Sequence, residues 1–175
     1  MLSALITIGN LSRSTASGAV KKGLFTHHPG LIASLIAVFW KEEGASMVMK
    51  SQALILFDSI SEINGLEQFL YEHEGLIALL VDVIGKEGGE WEFEKENALV
   101  VIGNITCCAS KEMKKGLYEV EGLIASLVAV VGKEGEEWEE EREKALMVIV
   151  NIAESTAEAK RGLFEFPDLM LSLEK

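Results

Sequence analysis

Three asparagines recur in one local context. Asn10, Asn104 and Asn151 each close an Ala-Leu-x-x-Ile-x-Asn segment, beginning at Ala4, Ala98 and Ala145. A primary amide both donates and accepts hydrogen bonds. An asparagine near a helix C-terminus can equally cap its own helix or the following turn. Catalytic chemistry has less to build on. The cysteines are the neighbours Cys107 and Cys108, which rarely meet disulfide geometry with each other, and no distant cysteine could pair with them. His27, His28 and His73 have no spaced His, Cys or carboxylate partner that would complete a ligand set, so no metal and no cofactor is implied. No nucleophile stands beside a base, and the expectation is a protein that is not an enzyme.

The segments that position these asparagines are repeated. Gly-Leu-Ile occurs at Gly30, Gly75 and Gly122, with spacings of 45 and 47 residues, and Leu169 follows Leu123 by 46. Ala-Leu falls at Ala4, Ala53, Ala98 and Ala145, keeping the same period. Gly23-Leu24-Phe25, Phe69-Leu70-Tyr71, Gly116-Leu117-Tyr118 and Gly162-Leu163-Phe164 precede the Gly-Leu-Ile slot. Apolar residues return every three or four positions without strand-like alternation, which predicts helices. In the clearest unit the expected helices are Lys111 to Val120, Leu123 to Val131 and about Trp138 to Ile152, with Gly30, Gly75 and Gly122 breaking first from second helix. Glutamates 136, 137, 139, 140 and 141 crowd the start of the third helix, where the helix dipole favours negative charge. His27-His28-Pro29-Gly30 reads as a turn. The units are 13–62, 63–106 and 107–153, with partial units 1–12 and 154–175 at the ends.

At 100° per residue the third helices divide into two faces. Ala145, Leu146, Ile149 and Ile152 face inward, while Glu140, Lys144, Met147 and Asn151 fall together on the opposite side. Phe93, Asn97, Val100 and Asn104 take those positions one unit earlier, and Val48, Gln52, Ile55 and Ser59 one unit before that. Stacked units would align Gln52, Asn97 and Lys144 in one polar row and Ser59, Asn104 and Asn151 in another, flanking an apolar row of Ile55, Val100 and Met147, with Asn10 and Ile6 extending the pattern. Trp91 and Trp138 lie seven residues before the anchoring alanine, on the core side, and read as packing residues. The methionines read as core or groove filling.

Three helices per unit of about 45 residues, glycine between the first two and Ala-Leu-x-x-Ile-x-Asn-Ile in the third, make the chain resemble the armadillo repeat family over nearly its whole length. The units run somewhat longer than is usual there, through an acidic, glycine-containing loop before the third helix, and the two-helix HEAT arrangement overlaps in length. The resemblance implies an all-α, right-handed superhelical solenoid whose third helices line a concave groove, with Asn10, Asn104 and Asn151 gripping an extended peptide. Some family members place a tryptophan one turn before the asparagine. Ile6, Ile55, Val100 and Met147 occupy that slot here, so tryptophan-dependent recognition of nuclear-import signals is not implied.

Composition narrows the partners. The chain has 175 residues, 49% of them apolar and 25% charged, with 2 prolines, which is the balance of one folded domain or one stack of repeats. A formal charge of -12 repels phosphate backbones, so nucleic acid is not expected. The longest apolar run, Leu31 to Trp40, is half the length that spans a bilayer, so no membrane insertion is expected. Met1 to Asn10 lacks the basic residues of a secretory signal, and the unpaired thiols fit an intracellular, cytoplasmic protein. The acidic runs Glu90 to Glu96 and Glu134 to Glu143 form a solvated face or attract a basic partner. The function expected is that of a protein-binding module for a basic or neutral segment. The alternative is a scaffold subunit held in a larger complex by apolar ends that lack polar capping units.

Overall fold

The computed structural model describes residues 18–40, 47–166 and 169. The chain divides into two compact units, residues 1–79 and 80–175. Among the described residues there are ten α-helices and two 3-10 turns and no strand. The helices are α1 (Gly18–His27), α2 (Pro29–Trp40), α3 (Met47–Ser61), α4 (Glu67–Tyr71), α5 (Leu76–Ile84), α6 (Glu92–Cys107), α7 (Lys111–Tyr118), α8 (Leu123–Val131), α9 (Glu139–Ala153) and α10 (Ala157–Phe164). The 3-10 turns, Gly89–Trp91 and Glu136–Trp138, lead directly into α6 and α9.

In the first unit α1 packs on α2 and α2 on α3. Phe25, Ile32, Leu35, Leu54, Phe57 and Ile60 are fully buried there. Burial of each such side chain contributes about 1.5–3 kcal/mol, which outweighs the weak helix preference of the isoleucines and phenylalanines. The break between α1 and α2 departs from the expected one. His28 alone separates the helices, and Gly30 is already the second residue of α2. Proline explains this: Pro29 has the helical φ preset and no N–H to satisfy, so it opens a helix instead of leaving the break to the glycine.

In the second unit α9 packs against α6, α7, α8 and α10. Ala98, Leu99, Ile102, Leu117, Leu123, Leu127, Ala145, Val148 and Ile152 form its core. The α8 sequence Leu-Ile-Ala-Ser-Leu-Val-Ala-Val-Val is rich in β-branched residues, yet it is helical because six of its nine side chains are buried on neighbours. Gly122, at φ 80°, stops α7's turn from continuing into it, and Gly75, at φ 84°, stands in the same place before α5. Side chains with a Cβ rarely take that left-handed conformation. Ser110 and Thr156 cap α7 and α10, their hydroxyls accepting from the N–H of Met113 (3.2 Å) and Ala159 (3.0 Å).

The tryptophans depart from the core placement expected of them. Trp91 and Trp138 are only part-buried. Each ends a 3-10 turn with φ near -103° and ψ near 0°, so the α-helical angle does not extend back to it and the indole swings out of the core face. A lysine covers each ring instead. The Nζ of Lys133 lies 3.3 Å from the Trp138 ring centre, and that of Lys86 lies 5.9 Å from the Trp91 ring centre. Burial first, and next the Lys95 ammonium, hold Lys133 below its ordinary pKa.

Candidate functional site

The side-by-side helices α6 and α9 carry the expected rows. Of the apolar row, Met147 is 53% exposed and Val100 half-buried, and Phe93, in the position equivalent to Glu140, is 50% exposed. Asn97, Asn104, Lys144 and Asn151 are half-buried beside that row. In the first unit, α3 leaves Val48 exposed, Gln52 and Ile55 half-buried, and Ser59 buried. Asn10, Ile6 and the partial unit 1–12 lie outside the described residues.

Ser59, Asn97, Lys144 and Asn151 are already engaged within the protein. Asn151 donates its Nδ2 to the Thr106 hydroxyl on α6 at 3.3 Å, and that hydroxyl in turn donates to the Gly103 carbonyl at 2.9 Å. Asn97 donates to the Phe93 carbonyl one turn back at 2.6 Å, and Ser59 to the Ile55 carbonyl at 2.9 Å. Ser59 thereby spends its one O–H, whereas Asn97 spends one of its two amide N–H groups. Lys144 bridges the two helices, 2.9 Å from Glu96 on α6 and 2.8 Å from Glu140 on its own helix. Burial lowers its pKa, but the bonds to Glu140 and Glu96 outweigh that and hold the ammonium above its ordinary 10.5. Glu140 is held below its ordinary 4.5 by the hydrogen bond from Lys144.

The loops before α6 and α9 share one construction. Lys86-Glu87-Gly88 and Lys133-Glu134-Gly135 place their glycines at φ 100° and 114° with ψ near 150°, a region open essentially to glycine alone. Arg142 donates to the Lys133 carbonyl at 2.9 Å, tying the second loop to α9.

An apolar cavity of about 330 Å³ opens on the other side of α9. Leu146, Ile149, Val150, Ala153, Leu163, Phe164 and Leu169 line it, with Glu154 and Lys160 alongside. Periodicity within single helices does not single out this face. Superposing units does, because its residues occupy the positions by which α6 meets α9. Among the described residues no three His, Cys, Asp or Glu side chains gather as a metal site, and no helix is long and apolar enough to cross a membrane.

The chain matches no protein-family model, no curated protein and no solved structure.

Proposed function

We propose that the chain is a non-enzymatic protein-binding module of armadillo type, an all-α right-handed solenoid that takes an extended partner segment along its third helices, of which α6 and α9 stand side by side in the second unit. The exposed apolar side chains on adjacent helices carry this reading: Phe93 and Met147 cost free energy in water, and the nearby amides of Asn97 and Asn151, which each donate one N–H within the protein, keep a carbonyl oxygen that can meet a peptide backbone. In the second unit the residues assigned to the groove are Asn97, Val100, Asn104, Lys144, Met147 and Asn151. The acidic start of α9 favours a basic or neutral segment. Cys107 and Cys108, exposed and in no disulfide, suit a reducing compartment.

The test is selection of binders from a random 12-residue peptide display library, followed by titration of the selected peptides. Met147→Glu and Asn104→Ala should each weaken binding by about 1–3 kcal/mol, the scale set by charging an apolar contact or losing a buried hydrogen bond. Full affinity in both variants would remove the groove. The second reading, a scaffold subunit of a larger assembly, is favoured by a separate observation, the open apolar cavity beside α9.

A further inference from the structure

The apolar face of α9 at the cavity is built from the same positions as the face of α6 that receives α9, two of the four with the same residue type. With the 47-residue offset, Leu99, Ile102, Gly103 and Thr106 become Leu146, Ile149, Val150 and Ala153. On α6 these positions are all buried, with Met147 and Val148 of α9 seated over Gly103 and Asn151 bonded to Thr106. On α9 Val150 is 56% exposed and Leu146 and Ala153 are half-buried, while Ile149 stays buried, and all four line the apolar cavity.

The charges repeat as well. Glu96 accepts the ammonium of Lys144, and its counterpart Glu143 is exposed. Lys114, buried on α7, pairs with Glu154 at 3.2 Å, and its counterpart Lys160, at the 46-residue offset that relates α7 to α10, is exposed at the cavity. Among the described residues neither Glu143 nor Lys160 has an ion-pair partner. Tyr118 packs on the backbone of Gly162, whereas its counterpart Phe164 is 58% exposed. One surface therefore has an acid, an apolar stripe and a base in the order that already binds a helix once in this protein.

We infer that this face docks an amphipathic helix of a partner protein, one with a lysine or arginine in the place of Lys144, a carboxylate in the place of Glu154 and a small side chain where it crosses Val150. The cation and the carboxylate lie ten residues apart, about 15 Å along a helix, and meet Glu143 and Lys160 in that direction only. The small side chain is required because Gly103 has become Val150. A bare Cβ at Gly103 would already touch Met147 and Val148 at 3.8 Å, so the two further carbons of valine need room that the incoming helix must supply. This face is distinct from the groove above and does not depend on it. The inference rests on the scaffold reading and gives the partner a definite chemistry.

The probe is a fluorescein-labelled peptide of residues 136–155, which contains α9 with its own Lys144 and Glu154, titrated with the full chain by anisotropy. Saturable binding is expected, tightened several-fold when the peptide carries Met147→Ala and Val148→Ala. Val150→Glu in the chain should abolish it. Lys160→Glu should weaken it about tenfold, and a peptide with Glu154→Lys should restore it. Val150 and Lys160 are exposed, so both variants should show the wild-type circular dichroism melt, which verifies that the fold is retained. The inference is overturned by absence of binding at about 1 mM peptide, or by binding indifferent to Val150 and Lys160. Loss of affinity in Asn104→Ala with none in Lys160→Glu would place the peptide in the groove and also overturn it, whereas failure of the groove test alone leaves this face standing. Self-association of the chain abolished by Val150→Glu in sedimentation would make the occupant a second copy and overturn the assignment to a partner.

Discussion

Asn151 and Thr106 are joined across 45 residues by a single hydrogen bond, amide Nδ2 to hydroxyl at 3.3 Å, from one long helix to the next. Thr106 is fully buried and passes its own proton to the Gly103 carbonyl, so the amide completes a short polar chain inside an apolar contact. Such a bond contributes about 0.5–1.5 kcal/mol net, and loss of one partner leaves the other desolvated and unpaired.

A double-mutant cycle of Asn151→Ala and Thr106→Val should therefore return a coupling of about 1 kcal/mol in urea unfolding. A coupling indistinguishable from zero would mean that Asn151 holds nothing in place and is available to a ligand.

Lys144 sets a window of pH. Its folded pKa is raised, so its stabilisation is complete below 10.5 and is lost as pH rises through the higher folded value. That of Glu140 is depressed, so its contribution is present above 4.5 and is lost as pH falls through the lower folded value. The melting-temperature difference between wild type and Lys144→Met should be constant between these limits and shrink on both sides. A difference that persists unchanged at both extremes would assign the effect to the packing of the lysine stem.

The tryptophan loops predict a small effect where a core residue gives a large one. Trp138→Ala should cost about 1–2 kcal/mol, the scale of a cation–π contact with partial burial. Leu127→Ala, at a fully buried site, should cost about 2–5 kcal/mol. Equal losses in chemical denaturation would return Trp138 to the core.

Three glycines should answer differently to alanine. Gly135→Ala, at φ 114° and against the Glu137 carboxylate, should lose about 1–3 kcal/mol. Gly122→Ala, at φ 80°, should lose about 1 kcal/mol. Gly30→Ala, inside α2 with nothing within 4 Å of the added carbon, should gain about 0.5 kcal/mol. Destabilisation at Gly30 to match the other two would show that its helix is broken there.

The helices were legible in the sequence because their signals are local. The Leu-Ile-Ala-Ser-Leu-Val-Ala-Val-Val run and the glycines around it mark α8, and the alternation of faces on α9 follows from 100° per residue. Trp91 and Trp138 were not, because each is the last residue of a 3-10 turn, where the 100° step of the α-helix does not apply. Nor was the break at His28, where proline outweighs the neighbouring glycine. The Glu96–Lys144 and Thr106–Asn151 contacts join residues 48 and 45 apart, and no pattern within one helix contains them. The exposed Phe93 and Met147 were anticipated by position. The cavity beside α9 became apparent only when the burial of two equivalent helices could be compared.

The lysine-covered tryptophans have an optical consequence. The chain contains three tryptophans, and Trp40, Trp91 and Trp138 are all at least partly open to solvent, Trp40 by 52%. Their emission in the native protein should already lie toward the red and be accessible to acrylamide. Melting of the leucine and valine interior would then change the fluorescence maximum little while ellipticity collapses. The indoles report instead on the two loops, and detachment of Lys133 from its ring would alter the spectrum while every helix is still intact.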